Sequence, residues 1–227
     1  MPEKPIVTRE TLRNGEIERL LHSGNGQKIM SDEERTELVD STLRALGAEK
    51  ELWIFGYGSL IWNPALEFEE QRRCRIQGYQ KKFCFWTTLG RGSQEQPGLM
   101  MGLIDGGYCN GVSYRINPDK AATELDILFR REMLTFVYKP TWVNARCVES
   151  DTEFMALTFV VDPSNYRYVD DLTQQETVQI IARARGPLGR NCDYLFQLSE
   201  KLSEFGFEEP ELDELVLLVR QNQATQY

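Results

Sequence analysis

One histidine in 227 residues is the scarcest feature of this sequence, and its scarcity excludes much chemistry. Zinc sites built on several histidines, Ser-His-Asp triads and Cys-His dyads all need imidazole partners. His22 lies beside the polar stretch Ser23-Gly-Asn-Gly26 and reads as a solvated surface residue. The cysteines Cys74, Cys84, Cys109, Cys147 and Cys192 are odd in number and far apart, with no C-x-x-C pair. They read as reduced, mostly buried thiols, and no metal site is expected. Positive charge is also short: 26 Lys+Arg against 35 Asp+Glu leaves −9. With no basic cluster interleaved with aromatics, nucleic acid and anionic membrane are excluded as partners. No run of about 18 apolar residues is present, and Met1-Pro-Glu-Lys-Pro-Ile-Val has no apolar signal-peptide core, so the expected location is the cytoplasm.

What remains is an ordinary globular composition, 41% hydrophobic and 27% charged, enough for a substantial core and one main domain. Residues 1–50 read as a helical extension packed on a domain spanning 51–227. In that extension Thr8 to Leu21 reads as one helix, Gly24-Asn-Gly26 as a flexible connection, and Ser31-x-x-Glu34 as a capping box for a helix closed by Gly47. From 52 to 161 the pattern is that of strands: Trp53–Phe55, Arg73–Gly78, Lys82–Thr88, Met100–Ile104, Gly111–Ile116, Thr141–Cys147 and Met155–Val161. Turns such as Asp105-Gly-Gly107 separate several of them. So many strands around one helix predict an α+β fold with a mixed, strongly curved or barrel-like sheet and flanking helices. Three helices follow. The first is capped by Thr173 and ended by Gly186-Pro187, the second runs from about Asp193 to Phe205, and the third from Leu212 to Asn222.

The chain is organised around Trp53-Ile-Phe-Gly-Tyr-Gly-Ser-Leu-Ile-Trp-Asn-Pro64, where an apolar strand runs into a glycine-bracketed turn. Gly56 and Gly58 let a ligand approach the main-chain N–H groups of Tyr57, Gly58, Ser59 and Leu60, a nest suited to a carboxylate or an amide oxygen. The stretch is not a dinucleotide fingerprint, since Ile61 holds the third glycine's place. It is not a nucleophile elbow either, because Ser59 lacks the G-x-S-x-G frame.

A second anomaly lies in the helix that Asn117-Pro118 begins. Its apolar face runs Leu125, Leu128, Phe129 at i, i+3 and i+4, and the i+7 position is Glu132. A carboxylate thus points where a core residue belongs. Burial would raise its pKa, as a general base near neutral pH requires. A buried salt bridge with Arg130, Arg131 or Arg72 explains the same position equally well.

Phe55-Gly-Tyr-Gly-Ser-Leu-Ile-Trp-Asn-Pro64, Arg131-Glu-Met133 and Gly186-Pro-Leu-Gly-Arg-Asn191, in that order, resemble the ChaC family of glutathione-specific γ-glutamylcyclotransferases. Arg131-Glu-Met-Leu-Thr135 is similar to the form in bacterial members. The resemblance implies a γ-glutamylcyclotransferase-like fold and a catalytic role for Glu132. The implied reaction is closure of a five-membered lactam, in which the substrate's α-amine attacks its own γ-carbonyl, releasing 5-oxoproline and cysteinylglycine. Because the nucleophile belongs to the substrate, no cofactor is needed. The resemblance also implies a pocket tyrosine at Tyr168. Gly186–Asn191 reads physically as a helix stop, with Asn191 capping the next helix and Arg190 free to reach a carboxylate. Arg72 and Arg91 are further carboxylate partners in principle, although surface charge explains both. The expected partner is the small molecule glutathione, and the expected state a monomer or homodimer. Other γ-glutamyl amides, a binding module without turnover and a non-catalytic regulator of cation transport remain as alternatives.

Overall fold

A computed structural model describes residues 7–22, 28–47 and 51–225. The Gly24-Asn-Gly26 connection, Met1–Lys4 and the side chain of His22 lie outside the described residues. Five strands, β1 (Leu52–Gly56), β2 (Glu70–Thr87), β3 (Gly98–Ile116), β4 (Tyr138–Cys147) and β5 (Glu153–Val161), close into a barrel in the order β1-β3-β2-β4-β5. β5 runs parallel to β1 through Ile54 and Leu157 and to β3 through Leu103 and Val160, so the sheet is mixed. All five residues of β1 are buried, as its apolar run predicts for a strand covered on both faces.

The seven expected strands are five, because two pairs are continuous. Gly78 (φ 83°) stands opposite Gly106 (φ 119°) and Gly107 (φ 55°), since Gln77 faces Tyr108 while Tyr79 faces Asp105. Asp105-Gly-Gly107 is therefore a paired bulge inside two long strands and not a turn between short ones. It bends both strands together, which lets the sheet curl shut.

Among the described residues, seven helices flank the barrel: α1 (Arg9–Arg13), α2 (Glu16–His22), α3 (Asp32–Leu46), α4 (Ala121–Glu132), α5 (Gln174–Arg183), α6 (Asn191–Glu204) and α7 (Pro210–Ala224). The helix expected over Thr8 to Leu21 is two, broken at Gly15 (φ 65°). The capping boxes at Ser31/Glu34 and Thr173/Glu176 form reciprocal hydrogen bonds. α5 ends at Arg183, before Gly186-Pro187, and a two-stranded ribbon follows, with β6 (Arg185–Gly186) pairing with β7 (Gly189–Arg190). Asn191 is not a cap. Its fully buried amide accepts from Leu99 N and donates to Leu99 O, each at 2.7 Å, tying α6 to β3.

Leu125, Leu128 and Phe129 of α4 are buried against β1 and β5, in one apolar cluster with Ile54, Leu157 and Phe159. All five cysteines are unpaired and buried. Burial pushes the Cys74 thiol up to about 11 and those of Cys84 and Cys109 up to about 12. No helix among the described residues is long and apolar enough to cross a membrane.

Candidate active site

β1 leaves the barrel at Gly56 and turns through a single 3-10 turn at Ser59–Ile61. A Cβ on Gly56 would lie 2.8 Å from Leu60 Cβ, and one on Gly58 would lie 3.1 Å from the Tyr194 hydroxyl. The absence of side chains is thus what lets the turn fold back and pack beneath α6. Tyr114 pins the turn from below, its hydroxyl donating to Leu60 O at 3.0 Å and Ile61 O at 3.2 Å. The turn's own bonds run from Ile61 N to Gly58 O and from Trp62 N to Ser59 O. The N–H groups of Ser59 and Leu60 therefore have no acceptor within it, as at any helical start.

α4 delivers its last residue, Glu132, to the same cavity. Its side chain is 13% exposed and receives Arg131 Nε at 2.9 Å on Oε1. Arg131 also donates through Nη2 to Ser59 Oγ at 2.7 Å and through Nη1 to Asn63 O. One guanidinium thus joins the carboxylate to the glycine turn. Burial raises the Glu132 carboxyl above the usual carboxylate range, and Arg131 opposes that rise. Glu132 is ion-paired, as the salt-bridge reading expects with Arg131, and it also lines the cavity.

The cavity measures about 790 Å³, within the range of small-molecule sites. Tyr57, Tyr138 and Tyr194 line it, and burial pushes all three phenols upward, with the nearby Glu132 charge adding to the effect. They are neutral donors and acceptors at ordinary pH. Tyr57 donates to Phe159 O at 2.8 Å. The ribbon Gly186–Gly189 also lines the cavity, together with Arg91, Arg167 and Arg185. A Cβ on Gly186 would lie 2.3 Å from Gly90 O and from Gly92 O, so the ribbon seats directly on that loop.

Of the residues singled out from sequence, Tyr57, Gly58, Ser59, Leu60 and Glu132 converge on this cavity. Tyr168 does not line it. It pairs as an isolated bridge with Phe85, while its neighbour Arg167, 8% exposed and donating to Trp86 O at 2.9 Å, takes the wall position. Arg190 lies outside the lining as well, bound to Asp193 at 2.7 Å. Arg72 stacks over Trp53 and pairs with Glu70 at 2.6 Å, away from the cavity. Arg91 lines it, half-buried, and burial lowers its guanidinium below the ordinary arginine range. Sequence reasoning named Arg131 among three partners for Glu132 but missed its reach to Ser59 and missed Arg167 as a wall, which carries no local signal beyond being a charge next to Tyr168.

Chemically, the lining offers one carboxylate with a raised pKa, the glycine turn, whose first N–H groups have no acceptor within it, and the guanidinium groups of Arg91, Arg167 and Arg185. That combination suits a small zwitterion carrying more than one carboxylate.

The family of ChaC-like proteins matches residues 52–222. The chain is 37% identical over 215 residues to the glutathione-specific γ-glutamylcyclotransferase of Escherichia coli (strain K12), covering 95% of this chain and 93% of that protein. It is 31% identical to the enzyme of that name in Schizosaccharomyces pombe, over 75% of this chain and 92% of the other. It is also 31% identical to human glutathione-specific γ-glutamylcyclotransferase 1, over 68% and 71%. The fold resembles the crystal structure of a glutathione-specific γ-glutamylcyclotransferase from yeast, with a TM-score of 0.68 and 22% identity, covering 75% of this chain and 96% of that one.

Proposed function

Because this chain belongs to the family of ChaC-like proteins, we propose that it is a glutathione-specific γ-glutamylcyclotransferase acting in the cytoplasm, cleaving glutathione to 5-oxo-L-proline and L-cysteinylglycine. The observation that carries the reading is the bridge from Glu132 through Arg131 to Ser59. In this reading Glu132 is the proton acceptor and the glycine turn the anion-binding element, and the bridge between them at a shared cavity supports that assignment.

The reaction closes a ring within the substrate. The α-amine nitrogen attacks the γ-carbonyl carbon, a C–N bond forms, and the C–N bond to the cysteine nitrogen breaks. From an α-ammonium start, two protons must travel from the attacking nitrogen to the leaving one. Glu132 carries them in turn, as base and then as acid, and a carboxyl raised by burial is suited to both directions. The N–H groups of Ser59 and Leu60, with those of Tyr57 and Gly58, hold the substrate's anionic oxygens. Folding the flexible γ-glutamyl arm against this turn contributes the proximity that cyclisation needs. Arg91, Arg167 and Arg185 also line the cavity, and in this reading they take the second carboxylate of the tripeptide. Tyr168 and Arg190 act at most from outside the lining.

The test is to incubate the purified chain with glutathione and follow 5-oxoproline and cysteinylglycine, for the wild type and for Glu132→Gln. Equimolar products from the wild type, lost in a folded Glu132→Gln variant, are expected. A wild type that leaves glutathione intact would sink the reading, and other γ-glutamyl amides tried on the same samples would then identify a different cyclotransferase or none.

A further inference from the structure

The segment from Val7 to Ile17 lies N-terminal to the residues matched by the family, yet Val7, Leu12 and Ile17 line the same cavity as Glu132. Its attachment is specific. The Thr8 capping box starts α1, which turns Arg9 inward onto Glu124. That pair is bidentate at 2.5 Å on both arms, with Glu124 only 1% exposed. Glu124 sits two turns before Glu132 on α4 and also accepts Glu67 N at 2.9 Å, while Arg9 reaches Ala65 O at 3.3 Å. Ala65 adopts the left-handed region (φ 54°), where an alanine remains only if its surroundings hold it. Asn63, at the head of this loop, donates to Val7 O at 2.7 Å, and its own carbonyl accepts from Arg131. In α2, Glu18 pairs with Arg130 at 3.1 Å. Leu12, fully buried, packs with Ile17, Ile127 and Leu134 beneath these contacts.

From this geometry we infer that Val7–Ile17 is a positioning strap built into the active site. Arg9 and Val7 hold the Asn63–Glu67 loop, the Asn63 carbonyl holds Arg131, and Arg131 holds the Glu132 carboxylate at the glycine turn. The inference rests on the proposed role of Glu132 and extends the working site to residues that read from sequence as an extension without chemistry. Arg9 spends Nη1 and Nη2 on the buried Glu124 carboxylate while its own buried Nε has no hydrogen-bond partner among the described residues, and Asn63 adds the bond to Val7 O, an outer layer that fixes an inner one.

Slackening the strap frees Arg131, and Arg131 is the cation that opposes the burial-driven rise of Glu132. The other titratable groups facing that carboxyl, Tyr57 from the turn, Tyr138 from β4 and Tyr194 from α6, are neutral phenols. The expected signature is therefore directional: the acidic limb of the kcat profile moves to higher pH.

Two full-length variants test this, with glutathione as the probe. Arg9→Gln removes the latch, and Asn63→Ala removes only the Val7 bond while leaving the Asn63 carbonyl in place. Each folded variant is expected to lose about tenfold in kcat, as misplacement of a reacting group costs, with KM changed less than about threefold and the acidic limb displaced upward. If Arg9→Gln fails to fold, because it strands the buried Glu124 charge, Asn63→Ala decides. Titration of the Glu132 carboxyl by NMR in substrate-free, carbon-labelled protein reads the same displacement without turnover. A wild type inactive on glutathione therefore defeats the proposed activity and leaves the strap decidable. Folded variants that keep kcat within about twofold and leave the carboxyl titration unmoved overturn the strap.

Discussion

Arg131 Nε lies 2.9 Å from Glu132 Oε1, an ion pair between sequence neighbours at the end of one helix. The same guanidinium donates to Ser59 Oγ and Asn63 O, so protein groups and not solvent fix its plane. The carboxylate has a cation aimed at it from a set direction and is open to the cavity on its other side.

Replacing Arg131 should therefore damage catalysis more than folding. Arg131→Gln removes the charge that opposes the raised Glu132 pKa. kcat/KM is expected to fall by about 10²-fold, with the acidic limb moved to higher pH. Arg131→Lys keeps the charge but lacks the planar fork that reaches three acceptors at once, so it should recover the limb and only part of the rate. A pH–rate profile for all three proteins separates these effects.

Glu132 should also cost the protein stability. Its carboxyl pKa is raised by burial above the ordinary glutamate value, so between the unfolded and the folded value the native state binds more protons than the unfolded chain. The stabilising contribution is complete below the unfolded value and is lost as pH rises through the folded one. Glu132→Gln is expected to melt higher than wild type at about pH 7 and to lose that advantage at about pH 4. A variant that melts lower at both would contradict this.

Gly186→Ala tests the ribbon. The added methyl would meet two backbone carbonyls at 2.3 Å, which cannot yield as a side-chain tip can. We expect a loss of about 2 kcal/mol or more and a raised KM for glutathione as the wall lifts from Gly90–Gly92. Denaturant melts and steady-state kinetics read the two effects separately.

Asn191→Ala would strand both the N–H and the carbonyl of Leu99 in the interior, where Asn191 now satisfies them. The expected cost is about 2–4 kcal/mol, the sum of two orphaned backbone groups. Asn191→Asp restores only the acceptor and should recover part of it. Chemical denaturation of the three proteins checks the order.

What could be read from sequence follows from how local each signal is. Glu132 was legible because helical periodicity places it among Leu125, Leu128 and Phe129, and the glycine turn because an apolar strand runs into it. Gly78 and Gly106-Gly107 misled because a positive φ serves a turn and a bulge equally well, and only the partner strand distinguishes them. Asn191 looks like a cap from its neighbours, but its partner, Leu99, is 92 residues away. Arg190 appeared free until Asp193, one turn on, took it up. Arg9 gave no signal at all, since its meaning lies in Glu124, 115 residues distant.

The burial of the five thiols has a consequence for how such an enzyme lives beside its proposed substrate, which is itself a thiol. Mixed-disulfide formation needs a thiolate that a disulfide in solution can reach. Every cysteine here is buried, and the thiols of Cys74, Cys84 and Cys109 stay protonated well past neutral pH. A disulfide in solution, the oxidised tripeptide included, therefore finds no exposed sulfur among these five to form a mixed disulfide with.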